Sequence, residues 1–226
     1  MTMSFGPSGA MVALLTPLDA DGRLDEHGLE RLVERVVAAG IDGISPNGST
    51  GEGARLGRQR RIAVATRVRK LSPDGMPVVS GVPLTTLDEG RAELDDLAEL
   101  GATAALVAPP SYYPLPDESV LRMYDALAGD APLPLLLYNI PIFTKVRLAP
   151  GVVARLATHP AIAGINPEQI TFYSRRIMVV PSGKVPGMAV WRERLFAAMH
   201  LNANLPAAYF GVPTSQVVEV GLEVEI

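Results

Sequence analysis

Residues 29–53 read LERLVERVVAAGIDGISPNGSTGEG, and three kinds of order meet within them. Leu29, Leu32, Val33, Val36 and Val37 recur at helical spacing and make one apolar stripe. Asp25 stands ahead of that stripe as an N-cap, and Gly40 closes it. Ile41–Ser45 follows at once, a short apolar run of strand length. Then comes PNGSTGEG at 46–53, with three glycines, a serine and a threonine, leading into the helix-like RLGRQRRIAVATRV. A small-residue turn between strand and helix has two uses. It is a tight connection and nothing more, or it brings backbone N–H groups close to an anion.

The same rhythm recurs along the chain. A helical pattern over Asp88–Leu100 ends at Gly101 and is followed by ATAALVAP. Asp117–Leu127 precedes LPLLLYNIP, and Pro150–Ala157 precedes AIAGIN. With the earlier runs MVALLTP and MPVVSGV, six strands alternate with five helices up to residue 166. The strands are continuously apolar, as expected when helices cover both faces of a parallel sheet. This is an α/β chain, and the rhythm is that of a (β/α)8 TIM-type barrel in a single domain over 1–226. A doubly wound sheet is the alternative. No GxGxxG follows the first strand, which counts against a dinucleotide fold.

Composition narrows the function classes. The 226 residues are 48% hydrophobic and 19% charged, the balance of an ordinary soluble globular protein. A net charge of −4 without any basic block argues against nucleic acid as a partner. Cysteine is absent, so disulfides, thiolate metal sites and cysteine nucleophiles are excluded. The three histidines, His27, His159 and His200, stand in no ligand spacing, and no metal site is expected. The opening MTMSFGPSGA lacks a signal peptide's regions and no apolar run reaches membrane-spanning length. A cytoplasmic protein without membrane contact is the expectation.

In a barrel the active site lies at the C-terminal ends of the strands. The polar residues there are Thr16, Asn47, Ser49, Thr50, Ser80, Tyr112, Tyr113, Tyr138, Asn139 and Asn166. Hydroxyls dominate, with neither a carboxylate pair for glycoside chemistry nor a metal cluster. Such a ring suits proton relay and the binding of a small carboxylate.

GSTGE at 48–52, APPSYYPLP at 108–116 and YNIP at 138–141 resemble the dihydrodipicolinate synthase/N-acetylneuraminate lyase family of pyruvate-dependent class I aldolases. The resemblance runs from about residue 10 to 166, in the right order and spacing, and leaves 167–226 as a divergent C-terminal region. It implies a lyase that forms or cleaves a C–C bond beside a 2-oxo acid such as pyruvate, without metal or cofactor. It implies that Gly48, Ser49 and Thr50 bind the acid's carboxylate. Ser49, Tyr112 and Tyr138 would form a proton relay, with Tyr138 as general acid/base and Tyr112 reaching into a neighbouring subunit's site. A homo-oligomer follows from that.

Three departures qualify the resemblance. The family's Schiff-base lysine belongs at the end of the sixth strand, where this chain has Asn166. An amide cannot form an imine, so the electron sink is missing at that position. Only Lys70, Lys145 and Lys184 are available as substitutes. Lys70 falls at a helix end on the wrong side; Lys145 and Lys184 follow strands and could approach the mouth. Secondly, Phe143 stands where dihydrodipicolinate synthases place an arginine for the second substrate's carboxylate, which points to a less charged acceptor.

Thirdly, the resemblance fades after about residue 175 and some fifty residues remain, so the barrel is incomplete or remodelled after its sixth strand. RIMVVPSG reads as a seventh strand and AVWRERLFAAMHL as one helix. The tail QVVEVGLEVEI alternates, with Val218, Val220, Leu222, Val224 and Ile226 on one face and Glu219, Glu223 and Glu225 on the other. Period two means a strand with one wet face. Such an edge needs a partner strand, in the C-terminal region or in a second subunit. The rival functions are a non-catalytic carboxylate-binding or regulatory paralogue and a defective product of a rearranged gene.

Overall fold

The computed structural model describes residues 9–163 and, as backbone, the strands Phe172–Val180 and Val217–Glu225. The chain divides into two compact units, Met1–Gly164 and Ile165–Ile226. The first opens with β1 (Met11–Ala13), α1 (Glu26–Ala38) and β2 (Gly43–Ser45), then α2 (Arg58–Leu71), β3 (Val79–Pro83) and α3 (Leu87–Glu99). It continues with β4 (Ala104–Ala108), α4 (Asp117–Ala128), β5 (Leu135–Leu137), the short α5 (Pro141–Thr144) and α6 (Pro150–Leu156).

Local chemistry sets the bounds of α1. The Asp25 side chain accepts from the Gly28 N–H at 2.8 Å, satisfying one of the N–H groups a helix start leaves free. Leu29 and Val33 lie on the buried face. Gly40 ends the helix at φ +77, a left-handed conformation that a residue with a Cβ adopts only at a penalty. Gly101, at φ +81, ends α3 in the same way.

All the strand pairings of this unit that follow are parallel. β1 pairs with β2 from Met11↔Gly43 to Ala13↔Ser45, and a bridge joins Ile44 to Val78. β3 pairs with β4, and β4 with β5. A further bridge, Leu135↔Ile162, continues the series. The spatial order is therefore the chain order. A doubly wound sheet reverses its order at a switch point, and no reversal occurs between residues 11 and 162. Five of the six expected strands are present as strands; of the sixth, AIAGIN, the described part contributes the bridge at Ile162.

Two apolar clusters fill the space between strands and helices. One joins Leu14, Leu29, Val33, Ile44, Val64, Val68 and Val78. The larger one packs α3, α4 and α6 on β3–β5 through residues such as Leu94, Leu97, Tyr124, Leu127, Leu135 and Leu156. Tyr124 is fully buried, and its hydroxyl donates to the Val107 carbonyl at 2.9 Å, tying α4 to β4.

In the second unit the tail strand finds its partner within the C-terminal region. β6 (Phe172–Val180) and β7 (Val217–Glu225) run parallel in unbroken register, from Phe172↔Val217 to Val180↔Glu225. Parallel neighbours require a crossover between them, which falls in residues 181–216. The helix expected from AVWRERLFAAMHL lies there, outside the described residues.

Burial pushes the Tyr124 hydroxyl's pKa far above its ordinary value, because the phenolate would be desolvated. The folded state therefore holds this proton where the unfolded chain releases it, above about pH 10. Stability should be independent of this group below that pH and fall as pH rises beyond it. Urea unfolding from pH 8 to 11 should show a shallower alkaline decline in Tyr124→Phe, which also loses about 1 kcal/mol at neutral pH with its hydrogen bond.

Candidate active site

The turn after β2 is built on close backbone approach. Asn47 and Glu52 have φ +60 and +52, left-handed positions that short polar side chains tolerate best. A Cβ added at Gly53 or at Gly81 would fall well under 3.0 Å from the Asn47 carbonyl oxygen. The turn thus folds back on itself and lies directly against β3. Gly53 N–H donates to Gly48 O at 3.1 Å and Glu52 N–H to Ser49 O at 3.2 Å, closing it. Thr16 Oγ1 donates to Gly51 O at 2.8 Å, fastening it to the segment after β1. Among the described residues, the N–H groups of Gly48, Ser49, Thr50 and Gly51 donate to no acceptor. They belong to the loop itself: a 3-10 turn at Gly53–Arg55 intervenes and α2 begins only at Arg58, so the expected helix entrance is not what presents them.

The C-terminal ends of β2, β3, β4 and β5 converge on a cavity of ≈ 410 Å³. Gly48 and Ser49 of the turn, Gly81–Thr85, Leu106, Ala108 and Pro109, and Tyr138, Ile140, Phe143 and Thr144 all line it. Across it the Ser49 hydroxyl and the Tyr138 hydroxyl are 2.9 Å apart, hydrogen-bonded. Residues 89 positions apart in sequence are brought to one point.

The remaining sequence candidates fall as follows. Thr50 is exposed beside the cavity and does not line it. Tyr112 does not line it either: it is 80% exposed at φ +94, its ring edge-on to Tyr113 at 4.7 Å. Ser80 is buried beneath the turn, accepting from Asn47 Nδ2 at 3.0 Å. Asn139 accepts from the Leu148 N–H, a structural contact. Lys145 is exposed, and its Nζ donates to the Ile142 carbonyl at 3.0 Å. Among the described residues no lysine lines the cavity. Asn166 and Lys184 lie outside the described residues.

Sequence reading passed over Arg61 and Glu93. Arg61 lines the cavity yet is buried, with its Nε donating to Glu93 Oε1 at 2.7 Å and its Nη2 to Glu93 Oε2. The signal was in the spacing: Arg61 shares the buried face of α2 with Val64, Ala65 and Val68, and Glu93 that of α3 with Gly90, Leu94 and Leu97. A charge on an apolar stripe is buried and therefore needs a partner.

The family model for the dihydrodipicolinate synthetase family matches residues 6–179. A second model, the K+ potassium transporter C-terminal domain, matches residues 135–226 and alone covers those after 179. The chain is similar to 4-hydroxy-tetrahydrodipicolinate synthase of Thermodesulfovibrio yellowstonii, 38% identical over 158 residues, 70% of this chain and 54% of that protein. It is similar to the Stenotrophomonas maltophilia enzyme of the same name, 31% identical over 218 residues, 96% of this chain and 70% of that one. Among solved structures it resembles the chloride-inhibited dihydrodipicolinate synthase of Acinetobacter baumannii complexed with pyruvate. Identity there is 33% and the TM-score 0.66, over 69% of this chain and 53% of that chain. Against the Thermodesulfovibrio and Acinetobacter proteins the chain spans about half the relative's length.

The close approach of Asn47 to β3 leaves no room for a methyl group at position 81. Gly81→Ala should lower stability by roughly 1–3 kcal/mol, as other overpacked sites do, read as a lower urea midpoint. An unchanged midpoint would mean that the turn is not held against β3.

Proposed function

The chain belongs to the dihydrodipicolinate synthetase family, and we propose on that premise that its cavity binds the carboxylate of a small 2-oxo acid such as pyruvate. The observation that carries this reading is the free N–H run of residues 48–51 beside the Ser49–Tyr138 contact. The turn supplies donors for two carboxylate oxygens. The Ser49 and Tyr138 hydroxyls stand in hydrogen-bond contact, as a proton relay requires. Tyr138 is the general acid/base of the proposed aldolase-type reaction, a C–C bond formed or cleaved next to the 2-oxo group. Tyr112, directed away from its own cavity, serves a neighbouring subunit in a homo-oligomer. The site needs no metal or cofactor, and the expected location is the cytoplasm. No described helix is long and apolar enough to cross a membrane.

Phe143 narrows the acceptor. It stands in the cavity wall where an arginine would hold a second carboxylate; Pro83, Leu84, Pro109 and Ile140 are uncharged members of the lining, and Glu52, Arg55 and the ion-paired Arg61 its charged ones. The acceptor in this reading is an aldehyde without an anionic group near that wall.

A second reading rests on Asn166. Covalent aldolase chemistry passes electrons into an imine, and the carboxamide of Asn166 cannot form one. With no lysine in the described cavity wall, the chain is then a carboxylate-binding or regulatory paralogue that kept the pocket and lost the amine. The match of residues 135–226 to a different family model supports a rearranged gene as the origin of the C-terminal region.

Saturating pyruvate should raise the melting temperature in either reading, by the equivalent of about 2.7 kcal/mol at a hundredfold excess over Kd. No shift would refute the carboxylate site. Borohydride trapping with pyruvate, followed by intact mass, separates the two readings: the wild type forms an adduct only if a lysine elsewhere serves. Asn166→Lys should gain the adduct if Ser49 and Tyr138 are poised for it. A folded Asn166→Lys protein that binds pyruvate without trapping would show that the site has diverged beyond one residue.

A further inference from the structure

Arg61 has more contacts with the turn than an interhelical ion pair needs. Its Nη1 donates to the Leu56 carbonyl and, at 3.4 Å, to the Gly53 carbonyl. Its own backbone carbonyl accepts from Asn47 Nδ2 at 2.9 Å. One residue of α2 thus grips the turn where it leaves β2, where it closes and where it runs toward α2. The other side of the same guanidinium is held by both oxygens of Glu93 on α3. The pair is 8% and 2% exposed, so solvent neither screens it nor offers a substitute partner.

We infer that Arg61 and Glu93 are positioning residues that fix the turn bearing Ser49, and with it the anion-binding N–H groups and the Ser49–Tyr138 contact. The inference rests on the carboxylate reading for its ligand and on the contacts above for its mechanism. Five N–H donors in a rigid plane let one arginine serve a carboxylate and two carbonyls at once. A lysine ammonium cannot reproduce that fork. Glu93 fixes the plane; without it the guanidinium loses its second side and the carbonyls of Gly53 and Leu56 lose a fixed donor.

The fold provides its own control. Arg58, also on α2, pairs with Asp96 on α3 through Nε at 2.9 Å and Nη2 at 2.6 Å, and donates to Ala92 O. It bridges the same two helices without touching the turn.

Four variants test the inference: Arg61→Lys, Glu93→Gln, Arg58→Lys and the double variant Arg61→Met/Glu93→Leu. The double variant replaces the buried pair by apolar side chains, which commonly preserves folding, while removing the Arg61 side-chain contacts with the turn. Pyruvate affinity is measured by calorimetry, and amide exchange is followed at Glu52, Gly53 and Leu56, whose N–H groups close the turn. Arg61→Lys, Glu93→Gln and the double variant should each weaken pyruvate binding roughly tenfold or more, as small misplacements of a binding group do. They should also accelerate exchange at those three amides. Arg58→Lys should change neither. A folded double variant with wild-type affinity and exchange would overturn the inference, as would Arg58→Lys matching Arg61→Lys. If the wild type itself fails to bind pyruvate, the carboxylate reading falls, and the exchange comparison still decides this one.

Discussion

The carbonyl of Asn47 lies where a side chain at Gly53 or Gly81 would have to be, and the site's geometry follows from that contact. It forces the left-handed backbone at Asn47. It brings the turn within hydrogen-bond reach of Ser80 on β3 and of the Arg61 carbonyl on α2. With its first residue fixed in that way, the turn closes through Gly48 and Ser49 carbonyls rather than through its own leading N–H groups. Among the described residues those N–H groups have no acceptor. Two glycines let the backbone come close, and the turn closes without using these donors.

Much of this was legible before any coordinates. The helical stripe of 29–37, its Asp25 cap and its Gly40 stop appear in the structure as read, because each is set by neighbours within a few residues. The alternation of apolar strands with helices was legible for the same reason. What the sequence could not place was anything decided by distant partners. Arg61 looks like one of several arginines in RLGRQRRIAVATRV, and only its register with Val64 and Val68 marks it as buried. Its partner, Glu93, lies on another helix. Tyr138 could be picked out from YNIP, yet the Ser49 contact depends on how β2 and β5 are placed around the cavity. The donors likewise looked like a helix entrance in one dimension, and the short 3-10 turn before α2 moved them into the loop.

The cavity turn and position 166 lie far apart in the sequence. The turn after β2 is anchored by Thr16, Ser80 and Arg61, with Glu93 holding the Arg61 guanidinium. In the covalent reading the imine-forming amine belongs at position 166, where the chain carries asparagine. The proposal of a carboxylate-binding paralogue rests on that separation in sequence: the turn residues are kept while position 166 differs from the family pattern.

The tail obeys a different physical rule from the unit before it. Strands β4 and β5 are short and continuously apolar, as a sheet covered on both faces demands. β7 is longer and alternates valine and leucine with glutamate, which a sheet covered on both faces would not tolerate, since each buried carboxylate would need a partner. It pairs with β6 over nine residues in unbroken parallel register. The two family matches overlap over residues 135–179, and β7 falls wholly in the part that only the second one reaches.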